Sequence, residues 1–356
     1  MTADPHERLL ADFAAGRKAA LARAISIVEN HRPGFERLLA AWNAKLGRAR
    51  RIGITGPPGA GKSTLTTALA RAYRAQGLTV GIVAVDPTSV FTGGALLGDR
   101  IRMEEIALDP GVYIRSLATR GSLGGLSSAT REACDVLDAF GLDRILIETV
   151  GVGQSELDVA RSADSCLVVL VPESGDSIQT LKAGVMEIAD VFTVNKADRP
   201  GADRLRNEIE IMLGMRAGTT MKNVPAHHGV DLSRGNLLRQ VREAARADDG
   251  DQWTPPVLRT VAAKDEGIGE LMEALDRHFH YLERSGTLRE RRRARLRERV
   301  VEVAEDRMRR RLWNDADTND WLDARLPALE SGEATPFAVA DALLARSADL
   351  LTRKTT

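Results

Sequence analysis

The chain has 356 residues, 43% hydrophobic and 28% charged, which is enough apolar material to fill one large globular domain with appendages. Its 50 Lys and Arg are matched by 50 Asp and Glu, so no net field draws it to nucleic acid or an anionic membrane, and any anion site must be local. Cys134 and Cys166 are far apart and outside CxxC spacing, which argues against a disulfide framework or thiolate zinc site; with no apolar targeting segment and no uncharged run of bilayer length, a cytoplasmic protein is expected.

From Glu7 to about Arg48 apolar residues recur at helical spacing (Leu9, Leu10, Phe13, then Leu21, Ala24, Ile25, Ile27, Val28), interrupted at His31-Arg32-Pro33-Gly34. This predicts a helical N-terminal extension over residues 1–48. At Arg51 the texture changes to short β-branched runs (RIGIT, TVGIVAVD, VYIRSL, RILIET, CLVVLV, VFTVN, VLRTV) alternating with helical stretches. Such alternation predicts an α/β domain over residues 49–284, a doubly wound, mostly parallel sheet covered by helices.

After the first of these runs, Gly56-Pro57-Pro58-Gly59-Ala60-Gly61-Lys62-Ser63-Thr64 fits the phosphate-loop pattern GxxxxGK[ST] and precedes a helical stretch from Leu65 to Gln76. The glycines let successive backbone N–H groups and the helix N-terminus face phosphate oxygens, Lys62 adds a point charge at the β and γ phosphates, and the Ser63 hydroxyl suits a Mg²⁺ ion. Further along, Asp86 closes the run TVGIVAVD and Asp99 lies in GGALLGDRIRM; both are acids expected on the metal side, although an Asp before Pro is also a common turn cap. RILIETVGVGQSE places Glu148 at a strand tip, where it could hold Mg²⁺ through water, with Gly151 three residues on to meet a γ-phosphate. Gln154 could orient the attacking water, or be a solvent-facing loop residue.

Asn195-Lys196-Ala197-Asp198 follows the apolar run Val191 to Val194, where ligands bind in open α/β folds. A carboxylate at Asp198 can accept from guanine N1–H and N2–H₂, a donor pair adenine lacks, so the pattern selects GTP over ATP. Thr260 to Ala263, after the last strand, would bring a backbone N–H to guanine O6, with Ala262 the residue assigned. Beyond Ser285-Gly286, residues 285–356 read as helices. Arginines from Arg289 to Arg311 interleave with Glu290, Glu298, Glu302, Glu305 and Asp306, which favours a solvated or dimer-forming helix over a nucleic-acid patch. His227-His228 reads as a loop pair, since no spaced carboxylate or thiol joins it.

GPPGAGKST, VAVDPTS, GALLGDRIRM, IETVGVGQSE, VPESGDSIQTLKAG and NKAD, in this order, closely resemble the MeaB/ArgK-type GTPases, the G-protein chaperones associated with methylmalonyl-CoA mutase. The resemblance covers roughly residues 10 to 355. It implies a G domain of the SIMIBI type, a homodimer, GTP/GDP with Mg²⁺, and a slow intrinsic GTPase rate. It also implies a role in gating adenosylcobalamin delivery to, and protecting, a B12-dependent acyl-CoA mutase, with its adenosyltransferase as a further partner. Residue by residue it assigns Lys62 and Ser63 to phosphate and metal, Asp86, Asp99 and Glu148 to the metal side, and Asn195, Lys196 and Asp198 to the base. Gly175 to Lys182 matches the loop that communicates with the mutase. The alternatives are a GTPase or kinase of Lys/Arg/Orn transport and a nickel-insertion GTPase; the Cys and His signatures of the latter are missing.

Overall fold

The computed structural model of the protein describes residues 5–87, 103–119, 128–149, 155–173, 183–216 and 252–347. Seven strands form one sheet: β1 (Arg50–Thr55), β2 (Val80–Pro87), β3 (Val112–Thr119), β4 (Arg144–Thr149), β5 (Ser165–Leu170), β6 (Val191–Val194) and β7 (Val257–Arg259). Their order is β3-β2-β4-β1-β5-β6-β7, and every pairing between them is parallel. A parallel sheet is covered on both faces, so the middles of its strands are largely apolar. On β4, Ile145 and Ile147 enter one core and Leu146 the other; on β5, Val168 and Leu170 oppose Leu167 and Val169.

The helices before and between the strands are α1 (Pro5–Ala14), α2 (Lys18–Glu29), α3 (Phe35–Trp42), α4 (Lys62–Ala75), α5 (Glu104–Ala107), α6 (Ser128–Phe140), α7 (Ser155–Ser162), α8 (Ala183–Ile188) and α9 (Ala202–Arg216). After β7 come α10 (Ile268–Arg284), α11 (Thr287–Trp313), α12 (Ala316–Asp323), α13 (Leu326–Glu330) and α14 (Pro336–Arg346). On one face of the sheet, α4 and α10 bury Leu65, Leu69, Tyr73, Leu271 and Leu275. On the other, α6 and α9 do so with Val136, Leu137, Leu205 and Ile209.

The N-terminal helices belong to this second core. Leu9, Phe13, Leu21, Ile25, Val28, Leu38 and Trp42 lie in the same cluster as Leu137 of α6 and Ile145 of β4. Phe13 stacks on Trp42 at 4.3 Å between ring centroids and meets Phe140 of α6 edge-on at 5.0 Å. The interruption between α2 and α3 comes from two left-handed residues, His31 (φ 44°) and Gly34 (φ 86°), flanking Pro33.

The chain divides into two compact units, Met1–Leu288 and Arg289–Thr356, and the N-terminal helices belong to the first. In the second unit α12 packs with α14, burying Thr318, Val339 and Leu343. Asp315 caps α12 by accepting from Thr318 N at 2.9 Å. No residue of α11 is buried, and Leu296, Val300, Val303 and Met308 are exposed along it. Among the described residues no helix is long and apolar enough to cross a membrane.

Candidate nucleotide site

Because all seven strands run one way, the carboxyl ends of β1, β4 and β6 share one edge. The chain leaves β1 towards β2 on one side and leaves β5 towards β6 on the other, so strand order reverses at the β1–β5 pair. Open α/β sheets bind ligands at such a reversal. The register completes the placement: Ile54 aligns with Glu148 across β1–β4, and Thr55 with Val168 across β1–β5.

At this edge residues 56–61 turn into α4. Gly56 has φ 141°, and a Cβ there would lie 2.1 Å from the Val169 carbonyl oxygen of β5; Gly61 has φ 83°, with a Cβ position 2.5 Å from Asn195 Nδ2. Neither can carry a side chain without displacing the loop from the sheet. Ala60 is buried and Thr64 exposed on the first turn of α4. Lys62 is 6% exposed; its ammonium donates to the carbonyls of Gly56 (2.8 Å) and Pro57 (2.9 Å), which centres the charge in the loop. The Ser63 hydroxyl donates to Glu148 Oε1 at 2.5 Å, so the serine and the strand-tip carboxylate lie together as expected. Thr66 and Thr67 donate back to the carbonyls of Lys62 and Ser63, satisfying the first turn of α4. A buried bond from Thr149 Oγ1 to Thr55 Oγ1 (3.2 Å) ties the ends of β4 and β1 together.

The loop after β6 is built onto this phosphate loop. Asn195, 2% exposed, donates from Nδ2 to Ala60 O (2.9 Å), and its Oδ1 accepts from Thr260 Oγ1 (3.2 Å) and Ala262 N (3.1 Å). Thr193 of β6 lies 3.0 Å from the same Thr260 hydroxyl. Lys196, left-handed at φ 55°, donates to Gly59 O at 2.8 Å. Asn195 and Lys196, assigned from the sequence to the base, thus grip the phosphate loop, and Asp198 is the member of the motif whose carboxylate is at the surface.

Ala262, assigned from the sequence to the base, has its amide donating to Asn195 Oδ1 at 3.1 Å in this structure. The next residue, Ala263, is exposed, and its amide has no acceptor among the described residues. Sequence reasoning missed Thr260, Thr193, Thr149 and Lys264. Only Lys264 carried a signal, a cation two residues beyond the assigned Ala262 and now 3.1 Å from Asp198. That bond, the largest influence, holds the Asp198 carboxyl below its ordinary range.

Asp86 is the penultimate residue of β2, in register with Ala118 of β3 and two residues beyond Ala84, which aligns with Glu148. Asp99, Gly151, Gln154, Lys182, His227 and His228 lie outside the described residues. Among the described residues no group of three or more His, Cys, Asp or Glu could hold a metal on its own. One hydroxyl beside one carboxylate does suit a hard cation that completes its shell with phosphate oxygens and water.

Comparison with known proteins agrees with this geometry. The family described as methylmalonyl Co-A mutase-associated GTPase MeaB matches residues 21–317. A Pyrococcus abyssi protein named as a GTPase is 46% identical over 83% of this chain and 83% of its own length. The GTPase ArgK of Escherichia coli is 33% identical over 90% of each chain. The crystal structure of a LAO/AO transport system kinase superposes with a TM-score of 0.64 at 25% identity, over 98% of this chain and 97% of that one.

Proposed function

We propose that this chain, which belongs to the MeaB family of GTPases, binds GTP with Mg²⁺ and uses its turnover to gate cofactor delivery to, and protect, a B12-dependent acyl-CoA mutase. Membership makes it a GTPase; the metal, the base contacts and the partner are our reading. One observation carries the nucleotide part. Asn195 joins Ala60 of the phosphate loop to Ala262 of the loop after β7, which supports a single site because the loops read as holding triphosphate and base are tied by one connected set of bonds.

In this reading Lys62 and the amides of residues 56–64 hold the phosphates. Ser63 would ligate Mg²⁺ with support from Glu148, and Asp86 and Asp99 are the further acids the motifs assign to the metal. A bound Mg²⁺ would supply charge neutralisation at the β and γ oxygens. Gly151 and Gln154 keep the roles their motif suggests, γ-phosphate sensing and water positioning. At the other end, Asp198 reads the guanine donors and the Ala263 amide faces guanine O6. The mutase partner rests on the family description, and a homodimer is supported by the exposed apolar stripe of α11.

Replacing Asp198 by Asn substitutes an amide donor for one of the acceptors that face guanine. GDP affinity should fall about 30-fold or more, since each bond to a charged group contributes roughly 1.5–3 kcal/mol. A competition assay on the full chain reads this, and equal affinity of the unaltered protein for ATP and GTP would sink the base assignment. The partner is tested by adding the protein to purified methylmalonyl-CoA mutase under turnover. GTP should slow mutase inactivation in its presence and GDP should not; identical inactivation with and without the protein removes the mutase from the proposal.

A further inference from the structure

Asp198 is not alone at the surface. Lys264 Nζ reaches its Oδ2 at 3.1 Å, and the two side chains are 56% and 42% exposed. An ion pair so open to water contributes little to folding, which directs attention to what it does for the carboxylate. The lysine stands on a fixed platform. It ends the 3₁₀ turn Ala262–Lys264, whose two sides are closed by backbone bonds from Val261 N to Glu266 O (3.0 Å) and Glu266 N to Val261 O (3.3 Å). Asp265 follows at φ 57°, and its carboxylate accepts from Arg71 of α4 at 2.7 Å. Gly267, at φ 76°, lies so close to Arg259 O that a Cβ would be 2.1 Å from it. A turn clamped at both ends fixes the base of the lysine side chain, and its ammonium adds to the contact that the carboxylate of Asp198 makes with its own amide.

The geometry points to Lys264 as a positioning residue that sets purine selectivity, by holding the Asp198 carboxylate in the orientation that accepts from two adjacent donors on a guanine edge. This rests on the guanine-nucleotide reading above. A carboxylate has about four lone-pair sites. Lys264 takes one on Oδ2, leaving acceptors for a pair of donors, and pre-setting the side chain removes part of the ordering cost that binding would otherwise carry. A base that offers one donor gains less from this alignment than a base that offers two. Hypoxanthine, which keeps N1–H and lacks the 2-amino group, is therefore the discriminating probe.

The test uses calorimetry on the full chain with Mg²⁺ and GDP, IDP or ADP, for the unaltered protein, Lys264→Met and Lys264→Arg. Lys264→Met should lower GDP affinity about fivefold while IDP stays within about twofold, narrowing the GDP:IDP ratio. Lys264→Arg should restore the ratio, and in turnover the Met variant should raise KM for GTP with kcat unchanged. A merely structural lysine would weaken GDP and IDP in equal proportion, and that result, or no change in either, overturns the proposal. An unaltered protein that does not prefer GDP over ADP removes the guanine reading and this inference together; one that does, with the GDP:IDP ratio intact in Lys264→Met, removes only this inference.

Discussion

Lys62→Ala should reduce GTP hydrolysis at saturating nucleotide by about 10³-fold, the scale on which loss of one preorganised charge contact to a reacting group is felt. Lys62 is 6% exposed and its ammonium is held by two carbonyl contacts of 2.8 and 2.9 Å, so the charge is fixed in the loop in advance of a ligand. Alanine removes the charge and also leaves the carbonyls of Gly56 and Pro57 without their donor, so nucleotide affinity should fall as well. Lys62→Arg should not rescue turnover. A forked guanidinium differs from a point ammonium in shape and bonding and has no room where the lysine is almost fully enclosed. Single-turnover hydrolysis with Mg²⁺ measures the effect, and a rate within tenfold of the unaltered protein would end the assignment of Lys62 to the reacting phosphate.

What the sequence made legible is local. GPPGAGKST reads as a phosphate loop because strand, glycine-rich turn and helix follow one another without interruption, so their contacts are fixed by adjacency. Glu148 could be placed near Ser63 because a strand tip in a parallel sheet faces the same edge as every other strand tip, and the alignment of Ile54 with Glu148 makes the contact real. The long-range bonds were hidden. That Asn195 spends its amide on Ala60, Thr260 and Ala262 depends on β6 and β7 being neighbours, which strand order decides and a motif does not. The same holds for the Ala262 amide, whose acceptor in this structure is a side chain 67 residues earlier in the sequence. The N-terminal extension was readable as helices from its apolar spacing, but not as part of the core under the sheet. Its stripe says only that some apolar surface covers it, and α6 is that surface here.

Beside that apolar join, the segment leading into β1 is anchored by one carboxylate, Asp138 of α6, which is 1% exposed. Its Oδ1 accepts from the amides of Arg48 (3.1 Å) and Ala49 (2.9 Å), and its Oδ2 from Gly47 N (2.8 Å) and Arg51 Nη2 (3.1 Å). Arg51, paired with Asp135 as well at 2.8 Å, is subject to opposing effects: burial would lower its pKa, and the carboxylates of Asp135 and Asp138 raise it more. Asp138→Ala leaves three buried-side amides and half of a guanidinium's pairing unmet. Unmet donors of this kind cost roughly 1–3 kcal/mol each before relaxation, and breaking a buried charged pair costs about 3–5 kcal/mol, so a loss of about 4 kcal/mol is expected. For the unit Met1–Leu288, with an unfolding entropy of about 2.1 cal/mol/K per residue, that is a fall of roughly 6–7 °C in Tm. Asp138→Asn keeps one good acceptor oxygen and should lose about half as much. Urea unfolding of the full chain measures both, and a shift below about 1 kcal/mol in the alanine variant would show that water replaces the carboxylate at little cost. The consequence reaches the site because the three amides lie directly before β1, the strand that delivers Gly56 to its contact with β5. Loosening its first residues frees the strand whose last residue carries the phosphate loop, so nucleotide affinity in Asp138→Ala should fall alongside stability even though the substitution lies at the opposite end of β1 from the nucleotide.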